Sequence, residues 1–339
     1  MSTSKFSPTD IMLQRIIVTI PIATLIVLGL LSLLVYIAWF WPLELIAHFR
    51  VQYLILAVIL TIVLIVLRQI GQLKNKALII AALLIVGLNA VDVIPWYLPH
   101  SQQVVGTPGK PIRVLSFNLN IQNNQDNKVV NLIQSNRPDL TLLAEVDAAK
   151  FKTLKNRLKD TLPYSFKSPG GGLVVFSRFP FADIRADRLN SQGNHNIIAN
   201  VIVNQQLIKF IGIHPLVPIN SNNFHRRNSQ LAAVTNYIQQ QNQPLILVGD
   251  FNITPWSPYY RQLINKTKLY NTRLGFGILP SWPRPATHVR LPSWLIPLVN
   301  IPIDHCLVSQ QFRVRQIYTG ANANSDHASL IIDLVLQTN

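Results

Sequence analysis

The apolar positions of this chain follow two different patterns along its length. Near the N-terminus lie three long runs without a charged residue, at positions 16–41, 51–67 and 77–91. About 20 apolar residues, at about 1.5 Å rise per residue, cross the hydrocarbon core of a bilayer. The runs therefore predict three membrane-spanning helices, the third extending over 77–94, in an all-α membrane anchor at residues 1–98.

A signal peptide and buried core helices also produce apolar runs, but both fit this chain less well. A cleaved signal peptide would account for the first run, but that run is too long and has no small-residue cleavage pattern. The second and third runs have the length of buried core helices, yet short basic connections place them next to the first. We therefore expect all three to insert into a lipid bilayer.

The Lys and Arg residues beside the spans predict the orientation of the anchor, because cytoplasmic flanks carry the excess of positive charge. A cytoplasmic N-terminus puts five of them inside and three outside: Lys5, Arg15, Arg68, Lys74 and Lys76 against Arg50, Lys110 and Arg113. We expect Asp92 to lie at the interface, because Pro95, Trp96 and Tyr97 follow it. The prediction is an integral protein of a bacterial inner membrane with an extracytoplasmic C-terminal domain.

Beyond residue 98 the pattern changes to short apolar runs. A stretch rich in Ser, Gln, Gly and Pro at 99–111 predicts a linker, and the domain occupies 112–339. Runs rich in Val, Ile and Phe predict strands, at 113–117, 140–144, 173–176, 197–203, 207–213, 245–248, 303–308, 312–318 and 328–335. Helical spacing occurs at 128–136, 148–162 and 222–241. This mixture predicts an α+β sandwich of two sheets covered by helices.

The composition supports this division and shows an excess of positive charge in the C-terminal part. With 49% hydrophobic and 13% charged residues, the chain is too apolar for an ordinary soluble enzyme. From residue 101 onward it contains 24 Lys and Arg against 11 Asp and Glu. Such a field attracts nucleic acid, anionic lipid headgroups or phosphorylated small molecules, or it tolerates an adjacent anionic bilayer. The single cysteine, Cys306, lies in an apolar run, which favours a buried hydrophobic role.

Carboxylates are scarce in the C-terminal domain, and several stand at the end of an apolar strand beside Asn or His. The positions are Asn118, Glu145, Asp250 with Asn252, Asp304, and Asp326 with His327. Strand ends are where a rigid scaffold presents reactive groups. Hard oxygen ligands without a Cys or His cluster favour Mg²⁺ or Mn²⁺ over zinc. Taken singly, an Asp after a strand is more often a cap or a turn former.

Taken in order, these motifs resemble the endonuclease/exonuclease/phosphatase superfamily, which includes deoxyribonuclease I, abasic-site endonucleases, neutral sphingomyelinases and inositol polyphosphate phosphatases. The resemblance covers residues 113–336 and rests on Phe-Asn at 117–118, Glu145, Phe-Ser-Arg-Phe-Pro at 176–180, Gly-Ile-His at 212–214, Gly-Asp-Phe-Asn at 249–252, Ile-Asp-His at 303–305 and Ser-Asp-His at 325–327. It implies the four-layer α/β-β/α sandwich of deoxyribonuclease I. It also implies hydrolysis of a phosphate ester by metal-activated water.

Carried over residue by residue, the resemblance implies a metal site and a water-activating group. Glu145 and Asn118 would bind Mg²⁺ or Mn²⁺, and Asp326 would contribute to the same site or to a second one. Asp250 would orient or deprotonate the attacking water. Asn252 would hold that water or a phosphoryl oxygen.

Two histidines complete the implied site. His327, oriented by Asp304, would contact the phosphate, since a carboxylate on one ring nitrogen favours the charged ring. His214 would protonate the leaving oxygen, and Arg178 would touch the phosphate or else pin a strand end. Deoxyribonuclease-like members place an acidic partner for the second His where this chain has glycines at 170–172. This departure argues against a double-His nuclease mechanism.

The predicted function is hydrolysis of a phosphodiester in nucleic acid or a lipid headgroup, with no protein partner. The alternatives are a phosphomonoesterase acting on a phosphorylated metabolite or lipid, and a non-catalytic, membrane-tethered binding module. A non-catalytic binding module would be expected to have lost some of the motif residues, and this chain retains them. The Trp- and Pro-rich segment at 276–302 could lie against lipid, clasp a substrate or simply pack.

Overall fold

The computed structural model describes residues 8–104 and 111–337. The chain divides into two compact units, an N-terminal unit that ends at Pro95 and a C-terminal unit that begins at Trp96. Lys5 and Lys110, which contribute to the predicted orientation of the anchor, lie outside the described residues, as do residues 105–110 of the predicted linker.

All regular secondary structure in the described part of the N-terminal unit is helical. Its helices are α1 (Pro8–Leu34), α2 (Trp41–Ala47), α3 (Arg50–Gln69) and α4 (Ala77–Val93), with short 3-10 turns at Val35–Ile37 and Ile94–Trp96. Three segments are long and apolar enough to cross a membrane: Arg15–Ile37, Arg50–Gln69 and Ala77–Trp96, with mean hydropathies of 2.6, 2.5 and 2.5. At about 1.5 Å per residue, each reaches the thickness of a hydrocarbon core.

A buried cation joins three of these helical segments. Arg50 at the start of α3 is fully buried, and its Nε lies 2.8 Å from Oδ2 of Asp92 in α4. The same guanidinium donates to the hydroxyl of Tyr36 at 2.6 Å and to the carbonyl of Ser32 at 2.7 Å. Asp92, predicted to lie at the interface, therefore pairs with Arg50, which is how charged groups in apolar helices are ordinarily satisfied.

The C-terminal unit consists of strands and helices in alternation. The strands are β1 (Ile112–Asn118), β2 (Leu140–Ala144), β3 (Tyr164–Lys167), β4 (Val174–Ser177), β5 (Phe181–Asp187), β6 (Asn196–Val203), β7 (Gln206–Ile213), β8 (Leu245–Asp250), β9 (Tyr270–Asn271), β10 (Asp304–Val308), β11 (Phe312–Thr319) and β12 (Leu330–Leu336). The helices are α5 (Asp126–Asn136), α6 (Ala148–Leu158), α7 (Ser221–Ile238), α8 (Pro258–Thr267) and α9 (Ile296–Val299).

Within residues 111–337 the strands form two six-stranded sheets, in the orders β11-β12-β1-β2-β4-β3 and β5-β6-β7-β8-β10-β9. Side chains alternate between the faces of each strand. Val114 and Ile246 pack in the cluster between the sheets, whereas their neighbours Leu115 and Leu247 pack against helices. Helices α5 and α6 cover one sheet, and α7 and α8 cover the other. The predicted four-layer sandwich is confirmed.

Strand pairing brings the ends of several strands to one edge of the sandwich. β1 runs parallel to β2, with Asn118 beside Ala144, and β7 runs parallel to β8, with Ile213 beside Gly249. β10 is antiparallel to β8, so the start of β10 lies beside the end of β8. The start of β12 lies near the end of β1 for the same reason. The motifs at these ends of the strands are therefore neighbours in space.

Three strands were not predicted from the sequence, namely β3, β5 and β9. All three lie at the edges of their sheets. An edge strand has fewer buried neighbours and so needs fewer apolar residues, and β5 reads Phe-Ala-Asp-Ile-Arg-Ala-Asp with only partial burial. At the other end of the unit, the amide of Val104 donates to the carbonyl of Val314 at 3.0 Å, so residues 99–104 of the predicted linker reach β11 instead of standing apart.

Candidate active site

An amide side chain links two carboxylates at the ends of β1, β2 and β8. Asn118 ends β1, Glu145 directly follows β2, and Asp250 ends β8. Nδ2 of Asn118 donates to Oε1 of Glu145 at 2.9 Å and to Oδ2 of Asp250 at 3.1 Å. The backbone amide of Ile121 donates to the other oxygen of Glu145 at 2.9 Å. The two sheets thus contribute to one polar cluster.

Asp250 is held in place by the turn that follows β8. Its Oδ1 accepts from the backbone amide of Asn252 at 2.9 Å, and Asn252 has a left-handed backbone with φ of 52°. Nδ2 of Asn252 donates to the carbonyl of Pro215 at 3.0 Å, which ties this turn to the loop after β7. Asp250 is 2% exposed, so its carboxylate faces the protein on nearly every side.

His214 follows β7 and faces the same cluster. Its Nε2 lies 3.7 Å from Oδ2 of Asp250 and 3.8 Å from Oε1 of Glu145. Within the described residues, neither ring nitrogen of His214 has a hydrogen-bond partner. This agrees with the absence of an acidic partner at the glycines of 170–172. Gly172 instead packs on the backbone of Glu145, where an added Cβ would come within 3.1 Å.

A second imidazole forms a tight pair with a buried carboxylate. Nδ1 of His327 lies 2.9 Å from Oδ2 of Asp304, the first residue of β10. Its other nitrogen, Nε2, lies 3.7 Å from Oδ2 of Asp250. The hydroxyl of Ser325 accepts from the backbone amide of His327 at 3.0 Å and donates to the carbonyl of Asn118 at 2.7 Å. These bonds fix the ring between Asp304 and Asp250.

The charged groups of this cluster shift one another's pKa values. Burial raises the pKa of Asp250 to about 6, and the charge of Asp304 adds to this rise against the effects of His327 and His214. Burial alone would lower the pKa of His327, yet the carboxylates of Asp304 and Asp250 raise it to about 10. Burial would raise the pKa of Asp304, but His327 keeps it below its ordinary value. His327 is therefore an imidazolium at neutral pH, beside a carboxyl poised near neutrality.

The side chain of Asp326 contacts three polar groups. Its Oδ1 accepts from Nδ2 of Asn120 at 2.7 Å, and its Oδ2 accepts from Nε1 of Trp282 at 2.9 Å. Nε2 of His288 lies 3.8 Å from Oδ1. The sequence pattern predicts no role for Asn120 or His288, because neither adjoins a recognisable motif.

The cluster contains groups that could hold a cation. An oxygen of Asp250, an oxygen of Asp304 and a nitrogen of His327 lie within 4.8 Å of one another. A protonated His327 is a poor ligand, because metal binding requires a free lone pair on the ring. The further oxygen donors nearby are those of Asn118, Glu145 and Asp326. This oxygen-rich set without sulfur fits Mg²⁺ or Mn²⁺ better than zinc.

Arg178 does not join the site. Its Nη1 lies 2.9 Å from Oδ1 of Asp139, and its backbone amide donates to the carbonyl of Asp139 at 2.8 Å. Asp139 precedes β2 and Glu145 follows it, so the five residues of this strand separate them. At about 3.4 Å per residue, that separation is about 17 Å. The predicted phosphate contact is wrong, and Arg178 instead pins the far end of the strand.

Arg227, in α7, supports the site although it belongs to none of the motifs. It is fully buried, and its Nη1 donates to the carbonyl of Asn252 at 2.9 Å. Position 227 lies on the face of α7 that also buries Phe224, Leu231 and Val234. The helical spacing of these apolar neighbours was the signal that could have identified it.

The C-terminal unit is thus an α/β-β/α sandwich with acidic and imidazole groups converging at one edge. The profile of the Endonuclease/Exonuclease/phosphatase family matches residues 115–327, well over half of the chain, and the chain belongs to this family. No curated protein matches the sequence significantly.

Solved structures share the fold of the C-terminal unit. A humanized D. rerio TDP2 is 14% identical with a TM-score of 0.55, and the match covers 67% of this chain and 100% of that one. An endonuclease/exonuclease/phosphatase from Beutenbergia cavernae is 20% identical with a TM-score of 0.52, covering 67% and 72%. Sphingomyelinase C from Streptomyces griseocarneus is 14% identical with a TM-score of 0.51, covering 67% and 99%. At these identities the similarity concerns the fold.

Proposed function

We propose that this protein is a membrane-anchored, metal-dependent phosphoesterase that hydrolyses a phosphodiester by attack of an activated water. The observation that carries the proposal is the convergence of Asp250, the Asp304–His327 pair, His214 and Glu145 at one edge of the sandwich. A general base, a fixed imidazolium and oxygen donors for a cation are the groups that such a hydrolysis needs.

The metal ligands in this proposal are Glu145, Asn118 and Asp326. When bound, the metal stabilises negative charge on the phosphoryl oxygens. Asp250 orients and deprotonates the attacking water, and its pKa of about 6 suits a base that works near neutral pH. Asn252, held by its backbone amide against Asp250, holds that water or a phosphoryl oxygen.

The two histidines take the remaining roles. His327 is fixed by Asp304 as an imidazolium and donates from Nε2 to a phosphoryl oxygen. His214, whose ring nitrogens make no hydrogen bond in the described part of the chain, protonates the leaving oxygen. Nε2 of each ring lies 3.7 Å from Oδ2 of Asp250, so both imidazoles lie close to the carboxylate that would activate the water.

Two proteins with this fold suggest the substrate class. D. rerio TDP2 has been solved with a single-strand DNA product, and another structure with this fold is a sphingomyelinase C. The surplus of Lys and Arg in the C-terminal part suits either a nucleic acid or an anionic lipid headgroup. We place the C-terminal unit on the extracytoplasmic side of a bacterial inner membrane, because Lys and Arg residues are in excess on the cytoplasmic flanks of the spans.

The proposal is tested with the full-length protein in detergent. Bis-p-nitrophenyl phosphate should be hydrolysed with Mg²⁺ or Mn²⁺, and chelation by EDTA should stop the reaction. Asp250→Asn should lower kcat by about 10³-fold or more, since it removes the general base. Asp183→Asn is the matched control, because this exposed carboxylate on β5 makes the same chemical change far from the cluster.

Activity that survives both EDTA and Asp250→Asn would contradict the mechanism. If p-nitrophenyl phosphate is hydrolysed faster than the diester, the protein is a phosphomonoesterase that uses the same catalytic groups, and not a phosphodiesterase.

A further inference from the structure

Exposed apolar side chains lie on three separate loops that contact the candidate site. Ile121, in the loop between β1 and α5, is 56% exposed, and Ile219, between β7 and α7, is 71% exposed. Trp294 and Leu298, between β9 and β10, are 71% and 59% exposed. With Val217 and Leu291 they form a set that we call the apolar rim.

Each of the three loops is bonded to the site. The amide of Ile121 donates to Glu145, and the carbonyl of Pro215 accepts from Asn252. In the third loop, the ring of Trp282 donates to the carboxylate of Asp326. The amide of Arg284 donates to the carbonyl of Asp326 at 2.7 Å. The apolar rim is therefore carried by the loops that hold the reacting groups.

Exposed large apolar side chains are unevenly distributed over the C-terminal unit. Residues 96–104 and 111–337 include ten large apolar side chains that are exposed, and six of them form the apolar rim. Tyr97 and Leu98 lie next to the point of attachment to the N-terminal unit, which leaves only Tyr164 and Leu207 elsewhere in the described part. Single exposed apolar residues are ordinary, but a group of them around a site marks an interaction surface.

The attachment point of the C-terminal unit contacts the beginning of the third loop. The carbonyl of Trp96, the first residue of the unit, accepts from the amides of Gly275 and Gly277 at 3.0 and 2.8 Å. Only Ile94 and Pro95 separate this residue from the apolar helix α4. A chain connection of this length keeps the surface near Trp96 close to any bilayer that α4 enters.

Charge favours the same partner. From residue 274 to 303 the third loop contains two arginines and no Asp or Glu. Arg284 and Arg290 flank His288 in the third loop, and Arg290 is exposed. Basic residues beside an exposed Trp suit the headgroup region of an anionic membrane, where the indole ring also prefers to lie.

We propose that the apolar rim rests in the headgroup region of the bilayer that holds the anchor, so that the site receives the phosphodiester headgroup of a lipid in that membrane. This inference rests on the proposed phosphoesterase and names its substrate class. The apolar rim contacts acyl chains beside the headgroup, while the polar cluster at its centre takes the phosphate.

The position of the apolar rim can be measured without any catalysis. The only cysteine, Cys306, is fully buried, and burial raises the pKa of its thiol to about 12, so it will not react with a label. Trp294→Cys and, as a matched control, Leu207→Cys are labelled with a nitroxide in the full-length protein. The protein is then reconstituted in vesicles of phosphatidylethanolamine and phosphatidylglycerol.

We expect the label at position 294 to collide more with oxygen and less with a water-soluble nickel chelate than the label at 207. Leu207 is exposed but begins β7, whereas His214 follows its end, about 20 Å away at about 3.4 Å per residue. Equal collision with the nickel chelate at both positions would show that the apolar rim lies in water and would overturn the inference.

A second experiment links the apolar rim to the substrate. The double variant Ile219→Asp/Trp294→Asp should lose about tenfold or more of its rate on phospholipid in vesicles, since a charge resists entry into the interface. Its rate on bis-p-nitrophenyl phosphate should stay within about twofold, because this soluble diester needs no bilayer contact. Leu207→Asp should leave both rates unchanged.

The outcomes separate the two proposals. If wild-type protein hydrolyses bis-p-nitrophenyl phosphate or single-stranded DNA but not the vesicle phospholipid, the lipid inference is overturned and the phosphoesterase stands. Equal loss of phospholipid hydrolysis in the double variant and in Leu207→Asp also overturns it. If no phosphodiester is hydrolysed at all, the phosphoesterase proposal itself fails, and the lipid substrate fails with it.

Discussion

His305 and His327 are both buried in the C-terminal unit but have opposite pKa shifts. His327 faces two carboxylates, which raise its pKa to about 10 despite burial. Burial lowers the pKa of His305 to about 3, and the charge of Arg273 adds to this effect. Nδ1 of His305 lies 3.1 Å from Nη1 of Arg273, and its Nε2 lies 2.8 Å from the carbonyl of Ile253. The first ring is a charged site group and the second a neutral packing group.

The neutral state of His305 predicts that acid destabilises the fold. Its pKa is lower in the folded chain than the ordinary 6.5 of the unfolded one. The stability it contributes is therefore complete above pH 6.5 and is lost as pH falls towards 3. Between pH 7 and 5 this loss is about 2 kcal/mol. It is measured as the change in unfolding free energy of the full-length protein in detergent.

The control for acid destabilisation is His305→Gln, which removes the titrating ring. Other groups titrate in both proteins. The quantity to compare is therefore the change in unfolding free energy between pH 7 and pH 5 in each protein, and not the absolute stability. An unchanged pH dependence in His305→Gln would show that this ring contributes none of it.

At the scale of the element, the close approach of β7 and β8 decides how the site is assembled. Gly249 precedes Asp250 and has φ of +147°, a backbone conformation that side chains rarely adopt. A Cβ at this position would lie 1.9 Å from the carbonyl oxygen of Ile213, which precedes His214. The absence of a side chain at Gly249 therefore permits the contact that brings His214 to Asp250.

Gly249→Ala should destabilise the C-terminal unit by more than about 3 kcal/mol, because it adds both backbone strain and a clash with backbone atoms. Gly170→Ala is the matched control, since its nearest neighbour would be the His195 ring at 3.2 Å and its φ is not in the left-handed region. This control should change stability by less than about 1 kcal/mol. Denaturant unfolding followed by tryptophan fluorescence measures both, and equal costs would contradict the argument.

At the scale of the whole molecule, the helical unit of the proposed membrane-anchored phosphoesterase would determine on which side of the membrane hydrolysis takes place. Three apolar helices, an odd number, put the two ends of the N-terminal unit on opposite sides if each one spans the bilayer. The Lys and Arg count favours a cytoplasmic N-terminus. The buried pair of Arg50 and Asp92 joins α3 to α4 and so holds these helices together.

Reporter fusions test this topology. A fusion after Lys76, between α3 and α4, should report the cytoplasm, and a fusion at the C-terminus should report the extracytoplasmic side. Alkaline phosphatase and green fluorescent protein give complementary signals in the two compartments. The same side for both fusions would contradict three spans, and exchanged sides would reverse the orientation.

The sequence by itself determined the three long apolar helices, the helices α5, α6 and α7, the positions of most strands along the chain and the motif residues at or beside the ends of those strands. Apolar periodicity is a local property. Asp250 ends a strand, Asp304 begins one and His327 lies just before one, and the burial of these strands is visible in the sequence. The edge strand β5 was missed because an edge has little apolar signal. The family resemblance then assigned roles to the strand-end residues.

Only the tertiary structure decided which of these residues meet. Arg178 and Glu145 both adjoin β2 or its neighbour β4, but antiparallel pairing sends Arg178 to the far end. Arg227 and the apolar rim come from distant parts of the chain and have no motif of their own. Their positions depend on strand register and loop packing, which are non-local and therefore cannot be derived from the spacing of residues along one segment.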